Sequence, residues 1–187
     1  MKLIRILAIA TLLMATTISI AVQAEDKDDL EKLLETGKCR KCDLEDVDLS
    51  GKDLRDVNLK GADLEKADLE GANLEGADLE GANLRKANLE KAKLEDADLE
   101  NANLERAKLE KANLNDANLR GANLMGADLR EASVKDADLR NAVLRDANLE
   151  RANFKRSDLR NADVRGANFD RTDLTNTDVR GTGISGR

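Results

Sequence analysis

Residues 62–81 read ADLEKADLEGANLEGADLEG, four consecutive units of the form Ala-(Asp/Asn)-Leu-x-x. The same unit recurs from Cys42 to Ile184 without an insertion. Stepping by five from Leu44 gives about 29 central positions, and each of them is Leu, Val, Phe or Ile. A tandem repeat of this regularity outranks every other signal in the chain, so the repeat has to explain the fold.

The five-residue period excludes an amphipathic helix. In an α-helix, five residues advance the leucine by about 140°, which spreads successive leucines around the whole cylinder. Within one unit, however, the alanine and the leucine are two residues apart, as on one face of a strand, and two turn-forming positions follow them. Because five is odd, the leucines can all face inward only if the chain turns once per unit. The pattern therefore predicts an all-β coil of short strands and corners.

A twenty-residue superperiod indicates how many units close one coil. The last corner position of every fourth unit holds a residue that tolerates positive φ. These residues are Gly61, Gly81, Asn101, Gly121, Asn141, Asn161 and Gly181. Units that stack directly on one another share an environment, so we predict four units per coil. About 29 units then form about seven coils, in a rod about 34 Å long.

The tandem units from Cys42 to Ile184 resemble the pentapeptide-repeat family. The resemblance implies a right-handed quadrilateral β-helix, with the central leucine and the small residue two before it facing inward. We assign this domain to residues 42–187. A few units depart from the pattern at the inward or the Asp/Asn position, and these departures are Lys52, Lys93, Lys108 and Val143.

The first residues differ from all that follow. Lys2 and Arg5 give a basic start, residues 6–22 are apolar, and Val22-Gln23-Ala24 is a small-residue cleavage site. This pattern predicts a signal peptide over residues 1–24, cleaved before Glu25, with no membrane span afterwards. The alternative is an uncleaved anchor, since about 17 apolar residues is at the lower edge of what spans a bilayer. We expect an exported protein of the periplasm or a comparable lumen, in preference to the extracellular space.

The two ends of the repeat differ in how they are closed. Residues 26–36 carry leucines at helical spacing and are followed by Gly37, which predicts a short capping α-helix within an N-terminal segment of residues 25–41. At the other end no helix is predicted, and the small inward position becomes threonine beside larger apolar residues. The residues concerned are Phe169, Thr172, Thr177, Val179, Thr182 and Ile184. This end is either lightly covered by the last residues or forms an interface, and from the second reading we expect a homodimer through the C-terminal coil.

Cys39 and Cys42 form a Cys-x-x-Cys motif immediately before the repeats. A zinc site would need about four ligands, which two cysteines without histidine cannot supply unless chains pair. A redox dithiol is a second reading, because nearby cations lower thiol pKa values. A structural disulfide is the third, and it suits the export route and the inward register of both residues. Secreted relatives that share a Cys-x-x-Cys-Asp-Leu start favour the disulfide.

Composition argues against catalysis and against nucleic-acid binding. The chain has 187 residues, no histidine, 1% aromatic residues and a formal net charge of −7. Without a nucleophile and base pair we expect no enzyme activity, no cofactor and no metal. Nucleic-acid binding would require a basic surface and aromatic side chains. We expect instead a scaffold or interaction module with a protein partner.

Two features of the charge pattern bear on that partner. The superperiod stacks a column of arginines on one outer face, and this column is the candidate partner-binding site. Its members are Arg120, Arg140, Arg160 and Arg180. Aspartates lie two residues before three of the arginines and at the preceding corner, and these are Asp138, Asp158 and Asp178, and Asp116 and Asp136. A surface ion-pair ladder without a ligand is the simpler reading. The resemblance also implies an alternative function, a DNA-mimicking rod that binds topoisomerases, which the net negative charge favours.

Overall fold

One helix and a ladder of single-residue β-bridges form the secondary structure of residues 29–184, which are the part of the chain that the computed structural model describes. Helix α1 spans residues 29–36 and ends where the sequence predicts. The bridges are all parallel, and they run from Lys38↔Asn58 to Asp158↔Asp178 at every fifth residue. The predicted signal peptide and the first residues of the predicted capping helix lie outside the described residues.

Each bridge joins two residues that are twenty positions apart, so one coil contains four of the five-residue units. The superperiod read from the corner residues predicts this closure correctly. The side chains of stacked units therefore lie directly above one another, in columns along the rod. Residues of the repeat whose numbers differ by twenty, or by a multiple of twenty, therefore belong to the same column.

The backbone amides of a unit all find acceptors, as residues 62–66 show. The N–H groups of Leu64 and Lys66 donate to carbonyls of the next coil, at 2.7 and 2.9 Å, and the N–H of Asp63 donates to the preceding coil at 2.8 Å. Ala62 donates across the corner to the carbonyl of Leu59. The fifth amide, that of Glu65, donates to the carboxylate Oδ1 of Asp63 at 3.0 Å. Asp or Asn at this position thus completes the hydrogen bonding of the unit.

The core is a continuous stack of aliphatic side chains. Central residues from Leu44 to Leu159 are at most 2% exposed, and so are the small residues from Ala62 to Ala162. Full burial of a leucine stabilises the folded state by about 1.5–3 kcal/mol, so each coil depends on its neighbours to offset the entropy of ordering twenty residues. Lys52, the departure at an inward position, lies exposed in the first coil.

The left-handed backbone conformation occurs at the same corner position of every unit, from Lys41 to Gly181. It is adopted even by Lys66, at φ 57°, and Arg106, at φ 55°. The Gly and Asn residues of the superperiod column all have positive φ, as predicted, and every other corner column shares this conformation. At Gly121 the side chain of the stacked Asn101 adds a second reason for glycine, since its Oδ1 would lie 2.5 Å from an added Cβ.

The two ends of the rod are closed differently. At the N-terminal end α1 buries Leu33, which is 1% exposed, and leaves Leu34 at 52% exposure. At the C-terminal end the last apolar residues are only partly buried and border an open recess of about 960 Å³. These residues are Phe169, Leu174, Val179 and Ile184.

Asparagine side chains form a ladder of their own along one outer face. The Asn103 amide donates to Asn83 Oδ1 at 3.2 Å, and the Asn123 amide donates to Asn103 Oδ1 at 3.1 Å. The next position in this column is Val143, which can neither accept the Arg145 amide nor extend the ladder. Val143 is therefore a local weakness in the hydrogen bonding of the rod.

Replacing Val143 by Asn should stabilise the rod. The variant Val143→Asn supplies an acceptor for the Arg145 N–H and a donor for Asn123 Oδ1, so we expect a gain of about 1 kcal/mol in the free energy of unfolding. Denaturant unfolding measures the change. The matched reverse variant, Asn103→Val, should lose about 1–2 kcal/mol. Equal or lower stability of Val143→Asn would contradict the role assigned to the Asp/Asn position.

Candidate functional site

Arginine and aspartate side chains pair in a fixed way on the outer faces. Where the sequence has Asp-x-Arg, the strand places both side chains on the same outward face, and the guanidinium engages the carboxylate through Nε and Nη2. In the candidate column, Nε donates to Asp Oδ1 at 2.8 Å in Arg140, 2.9 Å in Arg160 and 2.9 Å in Arg180. The local pair is therefore set by two adjacent outward positions of one unit.

Neighbouring pairs also interact along the rod. Arg140 Nε lies 3.7 Å from Oδ2 of Asp158, and Arg160 Nε lies 3.6 Å from Oδ2 of Asp178. The column thus alternates in charge, which offsets the repulsion that stacked arginines would otherwise have. The side chains of Arg140 and Arg160 remain 37% and 39% exposed.

Arg120 differs from the other members of the predicted column. The residue two before it is Asn118, whose amide group donates to the carboxylate of Asp98. Within residues 29–184, Arg120 has no carboxylate within 4 Å, whereas Arg140 and its neighbours are paired. The structure places Arg120 in the same column but outside the charge ladder.

One of the corner aspartates expected to neutralise the column pairs elsewhere. Asp136 accepts a hydrogen bond from Arg156 Nε at 2.7 Å, across one coil. The other, Asp116, makes no ion pair in the described part of the chain. The arginine column is neutralised by the aspartates of its own face, Asp138, Asp158 and Asp178. The sequence predicted pairing with the same-face aspartates correctly, but it did not distinguish them from the corner aspartates.

The pairs shift the pKa values of both partners. Hydrogen bonds from Arg180 and from its backbone amide lower the pKa of Asp178 to about 2. The equivalent bonds from Arg165 lower the pKa of Asp163 to about 2. The paired carboxylates raise the pKa values of Arg160 and Arg180. The paired aspartates and arginines, Asp158 with Arg160 and Asp178 with Arg180, are therefore ionised at neutral pH.

The Cys-x-x-Cys motif lies beneath the capping helix α1. The Cys39 and Cys42 sulfurs are bonded, with Cα atoms 5.3 Å apart, and the two residues are 0% and 2% exposed. The carbonyl oxygen of Asp29 lies 3.1 Å from Cys39 Sγ, and Lys32 Nζ lies 3.6 Å from Cys42 Sγ. Bonded sulfurs offer no thiolate to a metal, so the Cys39–Cys42 pair does not fit a zinc site.

A cluster of acids on the N-terminal part of the arginine face is satisfied by its neighbours. Ligand atoms of Asp78, Glu80 and Asp98 lie within 4.8 Å of one another. Asn58 donates to Asp78 at 3.0 Å, Lys60 pairs with Glu80, and the amide of Asn118 donates to Asp98. The cluster is thus part of the surface charge ladder.

Sequence comparisons identify the class of protein. The profile of pentapeptide repeats matches eight copies over residues 38–76 and 62–101, and that of the pentapeptide repeat region matches residues 92–169. The chain therefore belongs to the pentapeptide-repeat family, whose members fold as right-handed quadrilateral β-helices. No curated protein matches the chain significantly.

Three solved structures are similar to this chain. HetL, a pentapeptide repeat protein involved in heterocyst differentiation regulation from the cyanobacterium Nostoc sp. strain PCC 7120, is 33% identical over 78% of this chain and 75% of its own, with a TM-score of 0.28. QnrB1, a plasmid-mediated fluoroquinolone resistance protein, is 20% identical over 80% and 87%, with a TM-score of 0.57. A protein from the Arabidopsis thaliana thylakoid lumen is 34% identical over 60% and 72%, with a TM-score of 0.31.

The Asp178 carboxyl should titrate near pH 2, and its low pKa should depend mainly on Arg180. Because the folded-state pKa lies below the ordinary value of 3.8, Asp178 contributes stability above that value and loses it as the pH falls towards 2. NMR titration of the variant Arg180→Gln should show the pKa of Asp178 moving back towards 3.8. The control Arg171→Gln, in the same coil, should leave it in place. An unchanged pKa of Asp178 in Arg180→Gln would refute the pairing.

Proposed function

We propose that this protein is a non-enzymatic scaffold that binds a protein partner in an exported compartment, the periplasm or a comparable lumen. In this proposal residues 1–24 are a cleaved signal peptide and residues 42–187 form a rod of about seven coils. Pentapeptide-repeat proteins are generally structural or interaction proteins, which supports the coarse assignment. No helix in the described residues has the length and hydrophobicity that a membrane crossing requires.

The alternating aspartate–arginine column is the observation that carries the proposal. Each of its paired guanidiniums uses Nε and Nη2 for its aspartate, so the edge carrying Nη1 points away from the internal pair. The adjacent corner column holds only Gly and Asn, which keeps that edge accessible. A row of guanidinium edges at strand spacing fits carboxylates of an acidic partner segment.

The alternative, a DNA-mimicking rod that binds topoisomerases, is supported by the net charge and by the likeness in fold to QnrB1. The arginine column weighs against it, because a DNA mimic needs a continuous acidic stripe. The signal sequence predicted for residues 1–24 also weighs against it, since topoisomerases act inside the cell. The exported scaffold is therefore the proposal that the surface supports better.

Capture experiments test the column. Immobilised protein should retain a specific partner from the exported fraction, and the double variant Arg140→Gln/Arg160→Gln should lose at least tenfold in capture. Exposed ion pairs contribute about 0–1 kcal/mol each, so thermal stability should change little. The matched control is Arg145→Gln/Arg165→Gln, on the neighbouring face. Equal capture by both double variants would leave the column with only a structural role, and retention of a topoisomerase would favour the alternative.

We also propose that the C-terminal coil pairs with a second copy. In the coil below, the N–H of Leu159 donates to the backbone carbonyl of Asp178 at 2.8 Å, whereas the amides of Phe169, Leu174 and Val179 have no backbone acceptor within residues 29–184. Threonine occupies the small inward position at this end, and the Thr177 hydroxyl donates to the carbonyl of Phe154 at 2.6 Å. An open edge of amides beside apolar side chains is a surface that a second copy can cover.

Light scattering tests the dimer. At high micromolar concentration the mass should be twice that of the monomer, and Val179→Lys should restore the monomer by placing a charge in the interface. Val179 is half-buried at the end of the rod, so this variant should leave the coils below folded. The control Leu34→Lys changes the exposed leucine of α1 at the other end. A monomer for the unmodified protein, or a monomer only with Leu34→Lys, would rule out the C-terminal interface.

A further inference from the structure

We propose that the Cys39–Cys42 bond is a thiol–disulfide exchange site, at which an external dithiol reduces the protein, and that α1 gates its access. This inference is independent of the partner-binding column. It rests on how α1 covers the two sulfurs, on the cations that flank Cys39 and Cys42 in the chain, and on the place that both residues take in the core.

Helix α1 is fastened over the Cys39 side of the bond. The Asp29 carbonyl oxygen lies 3.1 Å from Cys39 Sγ, and the Asp29 carboxylate accepts the Asp43 amide at 3.0 Å. Leu33 is 1% exposed against the end of the core. An incoming thiolate can therefore approach Cys39 only when α1 lifts, so the packing of Leu33 controls the rate of attack.

The charges near the bond depend on whether α1 is in place. With α1 in place, Lys32 Nζ lies 3.6 Å from Cys42 Sγ, and the Asp29 carboxylate lies 3.6 Å from Lys32 Nζ and within 4.8 Å of both sulfurs. Both residues belong to α1, so lifting the helix takes both charges away from the bond. The cations that flank the pair in the chain remain, and these are Lys38, Arg40 and Lys41. Nearby cations lower the pKa of a thiol and so favour the departure of a thiolate.

The exchange then proceeds in two displacements. A thiolate of the dithiol attacks Cys39 Sγ, the S–S bond breaks, and its electron pair passes to Cys42, which leaves as a thiolate. The second thiolate of the dithiol then attacks the dithiol's first sulfur, which is bonded to Cys39 in the mixed disulfide. Cys39 leaves as a thiolate and takes a proton from water. The dithiol is oxidised to a disulfide, and the protein gains two electrons.

Packing alone does not require cysteines at these positions. Cys39 lies one coil before Leu59 and Cys42 one coil before Ala62, so a leucine and an alanine fill the equivalent space in the next coil. The loop closed by the bond is very short, so it constrains the unfolded chain little. Two free thiols need more room beneath α1 than two bonded sulfurs do. Reduction and lifting of α1 are therefore coupled, and each favours the other.

Reduction kinetics of the intact protein test the gate. We follow loss of the bond in dithiothreitol by alkylation and mass spectrometry. Leu33→Ala should accelerate reduction more than tenfold, whereas Leu34→Ala, which removes the exposed leucine of the same helix, should not change it. Hydrogen exchange should show α1 opening on reduction, with the amides of residues 62–164 unchanged. Equal rates in the two variants, or a bond that dithiothreitol does not reduce in the folded protein, would overturn the proposal.

Discussion

Backbone hydrogen bonding between coils is the constraint on which the structure depends. Four of the five amides in residues 62–66 donate to backbone carbonyls, and three of these carbonyls belong to adjacent coils. An insertion of one residue would shift every later amide away from its acceptor, and a proline would remove a donor. The uninterrupted repeat and the absence of proline follow from this requirement. So does the strain at the corners, where lysine and arginine adopt a left-handed conformation that costs about 1–2 kcal/mol each.

The constraint on the interior leaves the outward positions free to carry function. Residues on the outer faces add little to the core, so their charges can vary from coil to coil while the spacing stays fixed. Arg140 and Arg160 are held at regular intervals by the bridges beneath them, and their aspartates fix the orientation of each guanidinium. A rigid rod thus presents a charge pattern whose geometry is set by the backbone. The pairs themselves stabilise the fold little, because they are exposed.

The repeat has to stop at the two ends of the rod, and the residues that depart from its pattern lie there. At one end α1 and the Cys39–Cys42 bond cover the first coil, with Asp29 and Lys32 placed on the two sulfurs. At the other end threonines replace the inward alanines, and the hydroxyls of Thr172 and Thr177 donate to carbonyls of the coil below. Both ends leave the pattern because the last coil lacks a neighbour to supply hydrogen bonds and apolar contact.

The sequence by itself determined the period, the four units per coil, the inward residues and the end of the capping helix, because these depend on spacing within one chain. It also placed Cys39 and Cys42 in inward register and Asp138 beside Arg140. The tertiary structure alone decided that every corner is left-handed, that the Asp/Asn side chain completes the hydrogen bonding of its unit, and that Arg120 stands outside the ladder. The physical reason is that a stacked side chain can choose between partners two residues away and partners twenty residues away. Only the packed coils settle that choice, as they do for Asp136, which pairs with Arg156 in the next coil.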